Sequence, residues 1–180
     1  GVKNFFIRAF LKKRMSKIFS MIDAGYGAKV LDLGCGSGVF IEPLSKMGLE
    51  VTGIDSSRSM LSLADARLKN AGVKGYNLVF SEASSLPLED KYFDLVICAG
   101  LLDYVNDAGK VLNEICRVLK NSGSAVITIP SRITPFFILR SGFGRFLRKA
   151  LFGLPPVLTS TTMAEALKTL DEAGFEVKDV

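Results

Sequence analysis

A glycine-rich turn directly after an apolar run constrains this chain more than any other feature. The run covers residues 30–33 and contains one charged residue, Asp32. It ends in a GxGxG pattern formed by Gly34, Gly36 and Gly38. Such a run is typical of a buried strand, and closely spaced glycines are typical of a tight turn in which a ligand contacts the backbone. Apolar residues at helical spacing follow, so the turn is predicted to open a helix.

A second predicted strand, over residues 50–54, leads directly into Asp55. This carboxylate follows Gly36 by 19 residues, a spacing at which a nucleoside-binding βαβ unit places its acceptor for ribose hydroxyls. The dinucleotide pattern GxGxxG fails, because Val39 stands where its third glycine would be. Asp32 would repel a pyrophosphate but suits a ligand that carries an ammonium or sulfonium group. A nucleotide-dependent oxidoreductase is therefore the less favoured alternative.

Predicted strands and helices alternate along the whole chain. Helices are predicted near residues 4–24, 40–47, 57–71, 106–120 and 163–173. Strands are predicted near residues 29–33, 50–54, 77–81, 93–99 and 124–129, and a last strand is predicted to begin near Phe175. This alternation predicts an α/β, doubly wound sandwich whose mostly parallel sheet is covered on both faces and binds its ligand at the carboxyl ends of the strands. A length of 180 residues fits one domain over residues 1–180.

Five further motifs follow in order after the glycine turn. They cover residues 55–61, 82–87, 92–99, 101–105 and 117–123. Together with the acidic residue before GxGxG, they resemble the class I S-adenosylmethionine (SAM)-dependent methyltransferase family, in particular its small-molecule type similar to enzymes of ubiquinone and menaquinone biosynthesis. The chain departs from the family pattern at Asn121 and Ser122, where Pro and Gly are usual.

The resemblance implies a Rossmann-like methyltransferase fold with SAM as cofactor and S-adenosylhomocysteine (SAH) as product. The antiparallel strand that ends the family's sheet is expected to be absent, because the chain stops at Val180, and the start at Gly1 suggests a fragment. The cofactor-binding positions carried over from the family are Asp32, Gly34, Cys35, Gly36, Gly38, Asp55, Ser56, Met60, Glu82, Ala83 and Ala99.

The methyl acceptor is less constrained by the sequence. The chain has no histidine, so the commonest general base is excluded. Asp103 and Tyr104 are the predicted catalytic residues, and Tyr26 or Glu114 are alternatives as a base. An acceptor that arrives ionised, such as a carboxylate or phenolate, would need no base. The predicted acceptor-binding residues are Tyr26, Arg132, Phe137 and Arg140.

Basic residues concentrate in two segments without any acid. Residues 1–20 hold six of them and residues 131–164 hold five, interleaved with phenylalanines. By the resemblance, an N-terminal helix over residues 1–24 and an insertion over residues 131–162 are expected to cap the acceptor site. The cap would receive a small or amphiphilic, even anionic, acceptor or rest on anionic lipid, as in a lipid or quinone methyltransferase at the membrane surface. A solvated helix face is the alternative, and no nucleic-acid-binding module is recognisable.

The cysteines and the apolar runs bear on the compartment. Cys35, Cys98 and Cys116 are odd in number and lack metal-ligand spacing, so they predict reduced thiols, no metal and a cytoplasmic protein. No apolar run reaches the length of a membrane span. A catalytically silent partner subunit with the same fold stays an alternative, and an aminopropyltransferase is disfavoured because residues 101–105 lack clustered acids. The sequence makes no prediction of oligomeric state.

Overall fold

A five-stranded parallel sheet forms the centre of the protein. The structure is a computed structural model that describes residues 12–129, 163–172 and 174–177. The strands are β1 (Lys29–Leu33), β2 (Glu50–Asp55), β3 (Tyr76–Phe80), β4 (Phe93–Cys98) and β5 (Leu119–Ile127). The described helices are α1 (residues 12–20), α2 (Ile41–Lys46), α3 (Arg58–Asn70), α4 (Ala108–Val118) and α5 (Met163–Glu172).

The strand order is β3-β2-β1-β4-β5, which confirms the predicted doubly wound α/β fold. From β1 the chain runs outward to β2 and β3, and then returns to β4 on the other side of β1. The order therefore reverses between β1 and β4. In open α/β sheets a crevice forms at such a reversal, outside the carboxyl ends of the two strands. The fold thus selects one edge of the sheet for a ligand.

Helices cover both faces of the sheet with separate apolar cores. On one face, Ile18 of α1, Ile41 of α2 and Leu68 of α3 are buried in a single cluster with side chains from the strands. On the other face, α4 and α5 contribute Ile115 and Leu170 to a second cluster. Full burial of one such side chain contributes about 1.5–3 kcal/mol. The two cores hold the strand ends, and hence the loops that follow them, in fixed positions.

The largest departure from the predicted boundaries is at β5. The sequence predicts a helix to residue 120 and a strand from 124, but α4 ends at Val118 and β5 begins at Leu119. Leu119 pairs with Phe93, and the register then shifts so that Ser124 pairs with Leu95. The residues between Leu119 and Ser124 form an irregularity in the pairing of β5 with β4. Local propensity does not predict such an irregularity.

The strand predicted to begin near Phe175 is not found among the described C-terminal residues. Residues 175–177 are not in a strand, although Phe175 packs against the core and its N–H donates to the carbonyl of Leu170 at 2.9 Å. The predicted insertion over residues 131–162, and residues 1–11 of the predicted cap helix, lie outside the described residues. Every helix in the described ranges is too short or too polar to span a bilayer.

Candidate functional site

A cavity of about 320 Å³ opens where the carboxyl ends of the strands meet. Five of the predicted cofactor residues lie together in its lining, namely Gly34, Asp55, Ser56, Glu82 and Ala83. They follow or end three neighbouring strands, β1, β2 and β3. Because parallel strands present their carboxyl ends at one edge, residues distant in sequence converge here.

The glycine turn leaves open space at one of its glycines. A Cβ atom added to Gly34 would lie 3.0 Å from a methyl carbon of Leu101, and one added to Gly38 would lie 3.2 Å from Ala64. A Cβ on Gly36 would meet no described atom within 4 Å. Packing against protein therefore explains two of the glycines, whereas the space beside Gly36 is free for a ligand. The positive φ of 52° at Gly36 also favours glycine.

Asp55 ties the glycine turn to the start of α3. Its Oδ2 accepts a hydrogen bond from the N–H of Gly36 at 2.8 Å, and its Oδ1 accepts one from the N–H of Ser57 at 2.8 Å. Ser57 in turn caps α3 through its side chain. A carboxylate has about four acceptor positions, so Asp55 is held by the backbone and retains capacity to accept hydrogen bonds from a ligand in the cavity.

Asp32 is a buried carboxyl group behind this turn. Its side chain is 1% exposed, and its Oδ2 has no hydrogen-bond partner among the described residues. Burial, with a smaller contribution from the charge of Asp55, raises the pKa of Asp32 to about 7. Ionisation of such a group is costly unless a positive charge compensates it. The site therefore suits a cationic ligand group near Asp32.

Arg14 of α1 is a residue that the sequence did not single out for this site. Its Nη2 donates to the hydroxyl oxygen of Thr128 at 2.7 Å, and the same oxygen accepts the N–H of Gly100 at 2.7 Å. Burial, with a smaller contribution from the charge of Asp32, raises the pKa of Cys98 to about 12, whereas the charge of Arg14 acts in the opposite direction. The charges of Arg14 and Asp32 therefore both reach Cys98, the last residue of β4. Arg14 lies one helical turn before Ile18, which is buried. Residues at this spacing share one face of a helix, so the sequence signal for Arg14 is its position on the inward face of α1.

The other six predicted cofactor residues lie outside the cavity lining: Asp32, Gly36 and Gly38, described above, and Cys35, Met60 and Ala99. Met60 is 44% exposed on α3, and Ala99 packs against the apolar core. Cys35 uses its backbone N–H to bond the carbonyl of Ile54 at 2.9 Å, and burial raises the pKa of its thiol. For Met60, Ala99 and Cys35 a contact with the cofactor stays a prediction that the shape of the cavity does not support.

The structure does not support two candidates for the general base, Tyr26 and Glu114. Tyr26 precedes β1, so it lies at the amino-terminal edge of the sheet, opposite the cavity, where it is 92% exposed beside Gly48. This position also does not support Tyr26 as an acceptor-binding residue. Glu114 accepts hydrogen bonds from the Arg117 guanidinium and from the N–H of Leu86. Arg117 lowers its pKa, which makes it a poor base.

The acceptor side of the site is only partly described. Tyr104 lines the cavity, and Asp103 lies beside it in sequence, outside the lining, with one oxygen buried. Arg132, Phe137 and Arg140 lie outside the described residues. The lining includes polar residues that the sequence did not single out, in the loops after β3 and β4 and at the start of α4: Ser81, Ser84, Asn106, Asp107 and Lys110. Within the described ranges, no cluster of His, Cys, Asp or Glu could hold a metal ion.

Comparison with known proteins agrees with this geometry. Residues 31–127 match a family described as a methyltransferase domain. The ubiquinone biosynthesis O-methyltransferase of Rickettsia canadensis is 28% identical over 176 residues, which cover 93% of this chain and 72% of that protein. The enzyme of the same name from Aeromonas salmonicida is 28% identical over 157 residues, which cover 86% of this chain and 66% of that protein. This chain is thus shorter than both of these relatives.

A solved structure supports the same fold. The SAM-dependent methyltransferase from Aquifex aeolicus superposes with a TM-score of 0.70 over 93% of this chain and 80% of that chain, at 23% identity. Similarity at 23% identity establishes the fold alone. The family match establishes family membership as well, because it covers over half of the chain. The chain therefore belongs to the class I SAM-dependent methyltransferases, and SAM is its cofactor.

Proposed function

We propose that this protein transfers the methyl group of SAM to an oxygen of a small or amphiphilic acceptor that binds beside Tyr104. The observation that carries the proposal is the single cavity in which the strand-end residues Gly34, Asp55 and Glu82 meet Tyr104. When bound, SAM supplies an activated methyl group on its sulfonium. The protein then has to hold the cofactor, orient an acceptor and exclude water, and such positioning contributes up to roughly 7–11 kcal/mol in favourable cases.

Each half of the cofactor has matching groups in this chain. Asp55 suits the ribose hydroxyls, Glu82 the amino group of adenine and Ala83 the edge of its ring. At the other end of the site, Asp32 and Arg14 carry opposite charges and suit the ammonium and carboxylate of the methionine portion. The buried Asp32 oxygen without a described partner supports this assignment, because a cation would compensate its charge.

The nature of the acceptor follows from the lack of an obvious base. No histidine is present in the chain, and Glu114 is engaged by Arg117. An acceptor oxygen that is already ionised, such as a phenolate or carboxylate, needs no proton removal by the enzyme. The O-methyltransferase relatives carry a name that points to an oxygen acceptor as well.

A methylation screen tests this proposal. The purified protein is incubated with SAM and either phenols or carboxylic acids, and both SAH release and the methylated product are measured. We expect turnover of at least one amphiphilic phenol, with a rate that rises with pH through the pKa of the acceptor. Binding of SAM without turnover of any phenol or carboxylate would contradict the proposed acceptor class.

Asp55→Ala is expected to weaken SAM binding by about 1.5–3 kcal/mol, the range for hydrogen bonds to a charged group. Alanine also releases the N–H groups of Gly36 and Ser57, which loosens the turn for any ligand. Calorimetry with SAM and with its 2′-deoxy analogue separates these effects. The analogue should lose less, because it lacks one of the hydroxyls. Equal losses for the two ligands would show that Asp55 acts only through the turn.

The exposed face of α1 favours a second property, contact with an anionic membrane surface. Lys12 and Lys13 are exposed on α1, whereas Ile18 on the same helix is buried. Basic residues near a lipid surface contribute about 1 kcal/mol each in binding to anionic lipid. Such contact would bring the enzyme close to an amphiphilic acceptor.

Vesicle co-sedimentation tests the membrane contact. The charge reversals Lys12→Glu and Lys13→Glu together are expected to reduce binding to anionic vesicles at least about tenfold, since two attractive charges become repulsive. Binding of the unchanged protein should fall steeply with salt, because salt screens the charges. Lys69→Glu with Lys74→Glu is the control of equal charge, on and after α3. Equal losses in the two variants would indicate non-specific attraction and contradict an α1 contact.

A further inference from the structure

Arg117 uses all of its hydrogen-bond donors to join α4 to the loop after β3. A guanidinium has five N–H donors. Two of them bond the carboxylate of Glu114 at 2.8 Å each, and two bond the carbonyls of Leu86 and Leu88 at 3.0 and 2.8 Å. The fifth bonds Asp90 at 2.6 Å. Glu114 completes the contact, because its Oε2 also accepts the N–H of Leu86 at 2.6 Å.

The pair is anchored on a rigid part of the fold. The opposite face of α4 is buried in the core through Val111, Leu112, Ile115 and Val118. The backbone at the end of α4 also holds the end of the loop, since the N–H of Lys91 donates to the carbonyl of Arg117 at 2.9 Å. Both side chains are largely shielded from water, so their charge-assisted hydrogen bonds are stronger than those of an exposed ion pair.

The same loop forms one wall of the cavity a few residues earlier. Glu82, Ala83 and Ser84 line the cavity, whereas Glu114 and Arg117 are not part of its lining. A turn links the two parts of the loop: the N–H of Ser85 donates to the carbonyl of Glu82 at 3.2 Å, and the hydroxyl of Ser81 donates to the carbonyl of Ser85 at 3.0 Å. Leu86, whose backbone is hydrogen-bonded to Glu114 and Arg117, comes directly after this turn. A displacement of Leu86 would therefore move the cavity wall.

We propose that Glu114 and Arg117 are positioning residues that hold the wall formed by residues 82–84 against the base of the cofactor. They thereby set the preference for adenine without touching the ligand. The inference rests on the proposed placement of the nucleoside beside Glu82. A lysine at position 117 would keep the charge but offer three donors in place of a planar fork, so it cannot make all five bonds.

The test compares affinity for two ligands that differ only in the base. SAH carries adenine, and S-inosylhomocysteine carries hypoxanthine, which has a carbonyl in place of the amino group. Calorimetry is performed with the unchanged protein and with Arg117→Lys, Arg117→Met and Glu114→Gln, the last being the mildest change. We expect the unchanged protein to prefer SAH, and each variant to reduce the ratio of the two affinities at least about fivefold, or roughly 1 kcal/mol.

Asp94→Asn is the matched control. Asp94 is also a partly buried carboxylate, bonded to the N–H of Lys29 at 2.9 Å and to Lys120 at 2.7 Å, but it lies at the amino-terminal edge of the sheet. The Asp94→Asn substitution should lower the melting temperature and leave the ratio of SAH affinity to S-inosylhomocysteine affinity unchanged. An unchanged ratio in Glu114→Gln and in the folded Arg117 variants would overturn the positioning role. If the unchanged protein bound SAH no more tightly than S-inosylhomocysteine, the positioning role would also be overturned. If the unchanged protein bound no SAH at all, the proposed function itself would be overturned.

Discussion

Replacing Gly36 by valine is expected to lower the affinity for SAH more than about 100-fold, or about 2.7 kcal/mol. The open space beside Gly36 is the reason, because a side chain there would meet no described atom and would occupy the place of the ligand. The positive φ of 52° adds strain of roughly 1–2 kcal/mol for a residue other than glycine. Gly36→Ala, with a smaller side chain, should show a smaller loss in the same direction.

Gly72→Val separates ligand exclusion from backbone strain. Gly72 also has a positive φ of 67° and no described atom within 4 Å of an added Cβ, but it lies between α3 and β3, away from the cavity. Both valine variants should lose thermal stability to a similar extent, whereas only Gly36→Val should lose SAH affinity. Unchanged SAH affinity in folded Gly36→Val would show that the glycine turn does not contact the cofactor.

Asp32→Asn is expected to stabilise the ligand-free protein near neutral pH while it weakens SAM binding. The pKa of Asp32 is about 7 in the folded protein, against 3.8 for an exposed aspartate. Because the folded-state pKa is raised, the stabilising contribution of Asp32 is fully present below about pH 4 and is lost as the pH rises through 7. Each pKa unit corresponds to about 1.4 kcal/mol, so the loss approaches about 4 kcal/mol above pH 7.

The difference between the unchanged protein and Asp32→Asn isolates this effect. Asparagine is neutral at every pH, and other carboxylates, such as Asp94 and Glu114 with lowered pKa values, contribute equally to both proteins. Denaturant unfolding from pH 4 to 8 should show a stability advantage of Asp32→Asn that grows with pH and levels off above about 7. A difference that does not change with pH would mean that the pKa of Asp32 is the same in the folded and the unfolded protein, so that burial does not raise it. Unchanged SAM affinity in the variant would argue against its role beside the cofactor.

The fold and the edge that holds the site followed from local patterns in the sequence. Apolar runs of strand length that alternate with helical periodicity predict the parallel sheet, and that topology brings Asp55 and Glu82 to one edge. The same topology argues against Tyr26, because a residue just before a strand lies at the amino-terminal edge.

Other parts of the site depend on contacts between elements that are distant in sequence. The spacing of Glu114 and Arg117 on one helix predicts an ion pair. The hydrogen bonds of this pair to the backbone of Leu86, however, require that α4 packs beside the loop after β3. Arg14 likewise reaches Thr128 across 114 residues. The early start of β5 depends on the pairing of Leu119 with Phe93, which overrides the weak strand propensity of the residues that follow.

Calorimetric titration of the purified protein with SAH, SAM and NAD tests the central claim most directly, namely that the cavity beside the glycine turn holds the cofactor of a methyltransferase. We predict binding of SAH and SAM with one site per chain and no binding of NAD, because the turn lacks the third glycine of the dinucleotide pattern and the nearby Asp32 would repel a pyrophosphate. Binding of NAD, or no binding of SAH by the folded protein, would contradict the account.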